Sequence, residues 1–110
     1  MDTQPHPPLV TVSGKHLEIT PAIRQHASEK VSRLQKHYDR IRQIDVLADK
    51  THHNGSLAVE VIVHVERADP FIVNLEGPDL YACIDEAVHK LERMLTDHKE
   101  RHRNRKHPGH

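Results

Sequence analysis

The feature that most constrains the fold of this chain is a run at residues 57–66 in which side chains of two kinds alternate. Every second position from Leu57 to Val65 carries leucine or valine, while glutamate and histidine occur only between them. A period of two places the aliphatic side chains on one face of a β-strand. The run therefore predicts a strand in a sheet that buries one face and leaves the other in water.

Shorter segments complete this sheet. Branched aliphatic residues mixed with polar ones predict three further strands, at residues 9–12, 44–48 and 71–75. The sequence His52-His53-Asn54-Gly55 contains the Asn-Gly pair typical of a tight hairpin turn. Further turns are predicted at Gly14 and at residues 68–70.

Two segments have the apolar spacing of amphipathic helices. The first is predicted at about residues 21–38, where Thr20 can cap the helix and Pro21 suits its first position. The second follows Asp79, the predicted cap, and its inner stripe comprises Leu80, Ile84, Ala87, Leu91, Leu95 and His98. The order βαβββα predicts an α+β fold with one four-stranded sheet and both helices packed on one face.

The length of 110 residues suits one domain. Residues 1–8, with three prolines, predict a disordered leader, residues 9–101 the folded domain, and residues 102–110 a basic flexible tail. No segment resembles a signal peptide or a membrane span, and the lone Cys83 cannot form an internal disulfide. We therefore expect a cytoplasmic protein with no membrane partner, and a monomer because no heptad pattern calls for self-association.

A net charge of zero hides a separation of charge along the chain. Residues 21–42 carry six Lys or Arg against two acids, residues 43–89 carry two against nine, and residues 90–110 carry seven against three. A polyanion responds to the local potential, so this pattern favours a nucleic acid as partner. Aromatic residues make up only 3% of the chain, which argues against stacking of successive bases on exposed rings.

The basic residues occupy helix flanks that avoid the predicted core. At about 100° per residue, one flank carries His26, Lys30, Arg33, His37 and Arg40, and another carries Lys90, Arg93 and Arg101, interrupted by Asp97. The alternative is an ordinary solvated face with ion pairs from Glu29 to Arg33 and from Glu86 to Lys90. That alternative suits single residues, whereas two flanks and a basic run at 99–106 favour a nucleic-acid surface.

Twelve histidines raise the alternative of a histidine-rich metal-binding protein. His98 and His102 are one helical turn apart, and His52 precedes another histidine, but zinc needs three or four ligands. No catalytic triad or paired-carboxylate motif has a recognisable context, so we predict no enzyme, no cofactor and no metal site. Ordinary histidines gain charge as the pH falls to about 6, which would strengthen binding to a polyanion.

The remaining alternatives are a generic RNA-binding module and a protein interaction module that uses the uncovered sheet face. On that face, Glu60, His64 and Glu66 indicate ordinary solvation.

Two segments resemble a known family. The stretch Leu17-Glu18-Ile19-Thr20-Pro21-Ala22-Ile23-Arg24-Gln25-His26, with a helix ending in Lys36-His37-Tyr38, resembles the first helix of bacterial ribosome hibernation promoting factors. The stretch Asp79-Leu80-Tyr81-Ala82-Cys83-Ile84-Asp85, leading to Lys90-Leu91-Glu92-Arg93, is similar to that family's second-helix signature. The two occur in the family's order and separation, and the resemblance covers about residues 9–103.

The resemblance implies a domain related in shape to double-stranded RNA-binding domains. Such a domain would bind ribosomal RNA of the small ribosomal subunit between head and body, occlude the tRNA and mRNA sites, and inhibit translation in starvation or stationary phase. The positions matching the family's basic helix surface are Arg24, Lys30, Arg33, Lys90, Arg93, Lys99 and Arg101. To these we add His37 from the flank described above, and Arg103 and Arg105 on charge alone.

Long members of this family carry a second domain that pairs ribosomes, which a chain of this length is not expected to contain. A short branch with an acidic tail opposes pairing, whereas this tail is basic. The resemblance therefore implies a short form that promotes inactive ribosome dimers with a separate ribosome modulation factor. The residues alone do not determine the effect on dimerisation, the nucleotides contacted or the means of release.

Overall fold

A computed structural model describes residues 7–52 and 55–105, the last four by their backbone only. Its elements are β1 (Leu9–Lys15), α1 (Pro21–Ser32) with a 3₁₀ extension (Arg33–Lys36), β2 (Ile41–Lys50), β3 (Leu57–Val65), β4 (Phe71–Gly77) and α2 (Leu80–Arg105). The predicted order βαβββα and the α+β class are confirmed.

The four strands form one mixed sheet in the order β1-β2-β3-β4. Strand β1 pairs with β2 in parallel, and the other pairs are antiparallel. Parallel neighbours need a crossover connection, which α1 supplies. The predicted hairpin joins β2 to β3, where the Thr51 amide donates to the Ser56 carbonyl at 3.2 Å. Gly55 adopts a φ of 67°, which glycine tolerates at no steric cost, while His53 and Asn54 lie outside the described residues.

The core lies between one face of the sheet and the two helices. The pairing register aligns Val12, Val46, Val61 and Val73 in one row across all four strands, and each of them is buried. Buried residues of α1 and α2 complete this core, namely Ala27, Val31, Leu34, Leu80, Ile84, Ala87, Leu91 and Leu95. Full burial of one such aliphatic side chain stabilises a fold by about 1.5–3 kcal/mol. The alternation at 57–66 therefore forms a strand with one buried face, as predicted.

Both predicted helix caps are present. The Thr20 hydroxyl accepts a hydrogen bond from the Ile23 amide at 3.2 Å, and the Asp79 carboxylate accepts one from the Tyr81 amide at 3.0 Å. Each bond satisfies an amide that the helix itself leaves without a partner.

Strands β1, β2 and β4 extend beyond the predicted ranges 9–12, 44–48 and 71–75, and other element boundaries differ as well. Gly14 lies inside β1 opposite Ala48, and the chain reverses at His16, whose φ is 59°. The α-helical part of the first helix ends at Ser32, and its 3₁₀ extension ends two residues short of residue 38.

Helix α2 continues through Arg105, so residues 102–105 are helical although we expected them in a flexible tail. The reason is composition, because no proline or glycine interrupts the segment before Pro108. The rest of that tail, 106–110, and leader residues 1–6 lie outside the described residues. Within the described ranges, neither helix combines the length and apolar character needed to cross a bilayer.

Candidate nucleic-acid interface

Helices α1 and α2 lie side by side on the sheet, and their outward sides form a surface rich in cations. Five of the ten predicted binding residues are found there. On α1, its 3₁₀ extension and α2, six exposed cations have no ion-pair or hydrogen-bond partner among residues 7–52 and 55–101, and we call these six the helical surface: Arg33, Lys36, Lys90, Arg93, Lys99 and Arg101. Lys36 was not among the predicted site residues, although it lies in the motif that carries the family resemblance.

The alternative of intrahelical ion pairs does not hold for this surface. In the described part of the chain, Arg33 and Lys90 pair with no carboxylate, and Glu29 instead accepts a hydrogen bond from Gln25 at 3.2 Å. The cations are therefore not neutralised by their own helices. Their charge remains available to an external anion without the cost of breaking an existing pair.

The helical surface has two parts. Arg33, Lys36, Arg93 and Lys99 line shallow clefts at the junction of the helices, one of which has a volume of about 240 Å³ between Lys36 and Lys99. Lys90 and Arg101 are eleven positions apart, three turns of helix, and lie on the flank of α2 away from α1. The surface is therefore broad rather than a single pocket.

Arg24 is placed apart from the other cations. Its guanidinium donates a hydrogen bond to the Val12 carbonyl of β1 at 3.0 Å. That contact ties α1 to an edge strand of the sheet, on the side of α1 opposite to α2. The structure therefore gives Arg24 a structural contact and does not bring it together with the α2 cations.

Two carboxylates of α2 that were not among the predicted site residues face α1. Asp85 Oδ1 lies 2.7 Å from His26 Nε2 and 3.8 Å from Lys30 Nζ. Because its cation lies beside a carboxylate, Lys30 presents a weaker field to a phosphate than Arg33 does.

Glu92 repeats this arrangement two turns further along α2. Its carboxylate lies 3.4 Å from His37 Nε2 and 3.8 Å from His89 Nδ1. The seven-residue spacing of Asp85 and Glu92 was a usable signal, because such residues share one face of a helix. We call the six side chains the interhelical row: His26, Lys30, His37, Asp85, His89 and Glu92.

The remaining predicted cations and the histidine pairs are only partly described. Arg103 and Arg105 lie on α2, but their side chains are outside the described set. The same holds for His102. The ring of His98 packs edge-on against Tyr38 and Phe71, with centroids 5.4 and 5.3 Å apart. Among the side chains that the structure describes, no three His, Cys, Asp or Glu residues are placed to hold a metal ion.

The opposite side of the sheet is uncovered and acidic at its centre. We call it the open face, and it consists of the outward side chains Leu9, Thr11, Ser13, Lys15, Gln43, Asp45, Leu47, Asp49, Ala58, Glu60, Ile62, His64, Ile72, Asn74 and Glu76. The Asp45 carboxylate accepts hydrogen bonds from Thr11 at 2.7 Å and Gln43 at 2.8 Å, and lies 3.0 Å from His64 Nε2.

These contacts favour the ionised form of the Asp45 side chain. Partial burial acts to raise the pKa of Asp45, but the hydrogen bonds and the charge of a protonated His64 outweigh burial and lower that pKa below its usual value. The carboxylate therefore stays ionised under ordinary conditions. The charge separation along the chain thus corresponds to a separation in space. Unpaired cations lie on the outward sides of the helices, and carboxylates lie on the open face.

A βαβββα domain with unpaired cations on its helices and acids on its open face defines a class of small α+β proteins whose two sides carry opposite charge. Comparison with known proteins identifies the family within that class. Residues 10–103 match the family model described as "Sigma 54 modulation protein / S30EA ribosomal protein", so the chain belongs to that family.

Curated relatives agree with this assignment. The chain is 39% identical over 92 residues to the ribosome hibernation promoting factor of Azotobacter vinelandii, covering 84% of this chain and 83% of the relative. It is 33% identical over 94 residues to the protein of the same name from Escherichia coli K12, covering 84% and 94%.

Solved structures have the same fold. The N-terminal domain of Thermus thermophilus Protein Y is similar with a TM-score of 0.72 and 30% identity, covering 82% of this chain and 97% of that domain. A ribosomal subunit interface protein from Coxiella burnetii is similar with a TM-score of 0.74 and 25% identity, covering 83% and 97%. The resemblance inferred from the two helix motifs is therefore confirmed.

Proposed function

We propose that this protein is a cytoplasmic ribosome hibernation factor that binds ribosomal RNA of the small subunit through its helical surface. Bound there, it occludes the tRNA and mRNA sites and inhibits translation in stationary phase. The observation that carries this proposal is the set of six exposed, unpaired cations on the two helices of a domain from this family. Names of relatives, which include "ribosome hibernation promoting factor", support it.

The mechanism is occupancy without a chemical step. Lysine and arginine side chains neutralise phosphates, and the rigid sheet holds both helices at a set separation that can match folded RNA. Arg33 and Arg93, one from each side of the junction, provide the central contacts. Lys90, Lys99 and Arg101 extend the contacts along α2, with Arg103 and Arg105 continuing on its last turn.

The interhelical row contributes less to phosphate binding than the helical surface does. Its lysine and histidines already lie beside its two carboxylates. Lys30 and His37 remain within reach of RNA, but each must separate from a carboxylate before it pairs fully with a phosphate.

The partner beyond the small subunit is a separate ribosome modulation factor, with which the protein promotes inactive ribosome dimers. The basic end of α2 supports this branch of the family over the branch with an acidic tail. The free protein is a monomer in this proposal.

The test compares two charge-reversed variants of equal net charge. The first is Arg33→Glu/Arg93→Glu, which removes one cation from each helix. The second is Lys15→Glu/Lys50→Glu, whose exposed lysines lie on strands and form no ion pair among the described residues. Each protein is sedimented with small subunits through a sucrose gradient, and inhibition of in vitro translation is measured in parallel.

We expect stoichiometric binding and inhibition by the wild type and the strand variant, and loss of both in the helix variant. Equal loss in the two variants would mean that net charge rather than the helical surface drives binding. If wild type binds free double-stranded RNA as tightly as small subunits, the protein is a generic RNA-binding module.

A further inference from the structure

The open face contains a concave site that the RNA-binding role does not use. A hollow of about 650 Å³ lies over the ends of the strands, and its lining includes Leu47, Ala58, Glu60 and Glu76. Volumes of about 300–1,000 Å³ are typical of sites that bury a ligand. The hollow is on the side of the sheet opposite to the helices.

The pairing register explains why a hollow forms there. Ala58 of β3 lies between Asp49 of β2 and Glu76 of β4, so the smallest side chain of the row is flanked by two carboxylates. Neighbouring strands are about 4.8 Å apart, which places those two positions roughly 10 Å from each other. In the next row of this face, Glu60 lies beside Leu47.

The floor of this hollow is apolar while its rim is acidic. Leu47 is 39% exposed, and in the described part of the chain Glu60 and Glu76 have no ion-pair or hydrogen-bond partner. Asp49 is partly compensated, because His16 Nδ1 lies 3.3 Å from its carboxylate, and Lys15 also borders the site. Two unpaired carboxylates thus remain beside an apolar floor.

These features select the chemistry of an occupant. An arginine side chain combines an aliphatic stem that can cover Leu47 and Ala58 with a guanidinium that binds carboxylates in bidentate geometry. Nucleic acid is disfavoured, since its phosphates would meet Asp45, Glu60 and Glu76. We propose that the open face is a second binding surface, which docks an arginine-rich segment of a protein partner by receiving an arginine side chain in this hollow.

The position of the hollow allows both partners to bind at once. The helical surface and the open face lie on opposite sides of one sheet, so a protein can contact the open face while RNA contacts the helices. The opposed charges also orient the domain, because RNA attracts one side and repels the other.

The test uses the full chain and a fluorescein-labelled nona-arginine peptide, with binding measured by fluorescence anisotropy at fixed salt. Glu60→Gln/Glu76→Gln removes the two unpaired charges while retaining shape. Glu18→Gln/Glu86→Gln is the matched control, because these two glutamates are exposed, have no partner among the described residues and lie off the open face. Ala58→Leu fills the hollow and leaves every charge in place.

We expect Glu60→Gln/Glu76→Gln to weaken peptide binding at least about tenfold, as loss of charged hydrogen bonds does, and the control to stay within about twofold. Ala58→Leu is expected to weaken binding similarly, with thermal unfolding verifying that each variant is folded. Amide resonances around Leu47, Ala58 and Ile72 should shift on titration with the wild type.

Several results would overturn the proposal. An equal loss of peptide affinity in the control variant would indicate unspecific electrostatic attraction. If the wild type does not bind the peptide, the open face is not a binding site for arginine-rich segments. Self-association that the peptide dissolves would assign the face to a second copy of this chain. Binding to small subunits is expected to be unchanged in all three variants. Failure of the peptide-docking proposal can therefore be distinguished from failure of the RNA-binding proposal.

Discussion

The sharpest test of the helical surface is the salt dependence of ribosome binding after removal of two cations. Each phosphate neutralised contributes about 0.7–0.9 to the slope of log affinity against log salt concentration. If the six unpaired cations each meet one phosphate, the slope is about 4–5, and wild-type affinity falls by about 10³ between 50 and 200 mM salt. The double variant Arg93→Ala/Lys99→Ala removes two contacts. Its slope should be smaller by about 1.4–1.8, and its loss of affinity over that range should be only about 10².

The assay is equilibrium binding of labelled protein to small subunits at 50, 100 and 200 mM salt. The control Lys15→Ala/Lys50→Ala removes two exposed lysines outside the helical surface and should keep the wild-type slope. Arg24→Ala should leave the slope near that of the wild type and lower stability instead, because its guanidinium is bonded to the β1 backbone. A double variant that binds more weakly with an unchanged slope would refute direct phosphate contact by these two cations.

Four other predictions follow from particular contacts. Asp85→Asn frees Lys30 from its counter-ion, so affinity for small subunits at 100 mM salt should rise by about twofold to fivefold, as surface ion pairs are worth up to about 1 kcal/mol; unchanged or weaker binding would contradict this. Asp45→Asn should lower the free energy of unfolding at pH 7 by about 1–2 kcal/mol. Because the pKa of Asp45 is lowered on folding, its stabilisation is present above about pH 4 and lost as the pH falls further, so the difference in urea unfolding between variant and wild type should shrink steadily as the pH is lowered below about 4. Gly14→Ala should lower the free energy of unfolding by about 1–3 kcal/mol, since a Cβ would lie 2.1 Å from a backbone carbonyl; a variant as stable as wild type in urea would exclude that clash. Burial, then the nearby acids Glu86 and Asp79, raise the pKa of the Cys83 thiol, so a disulfide reagent at pH 7.5 should modify it far more slowly in native protein than in urea.

The fold could largely be predicted from local pattern. The alternation at 57–66 indicated β3, and Thr20 and Asp79 indicated both helix starts, because these signals depend on neighbouring residues alone. Boundaries were less predictable. Gly14 was expected in a turn, yet the Leu17 carbonyl packs so close to it that only a residue without a Cβ fits inside the strand. No local signal carries such a contact.

The candidate site was predicted unevenly for the same reason. Periodicity on each helix indicated the exposure of Arg33 and Arg93, because exposure follows from which face is apolar. The contact of Arg24 with β1 and the pairing of Lys30 with Asp85 join separate elements. Neither could be inferred from the spacing along one helix.

By itself, the sequence determined the element order, the caps, the apolar faces and the family, since each is carried by short-range spacing and residue type. Only the tertiary structure decided which charges remain unpaired, because pairing depends on distances of a few ångströms between residues far apart in the chain. Packing α2 beside α1 set Asp85 and Glu92 against Lys30 and the row's histidines, and left Arg33 and Arg93 unpaired. Strand register likewise placed Ala58 between two carboxylates, and so created the hollow on the open face.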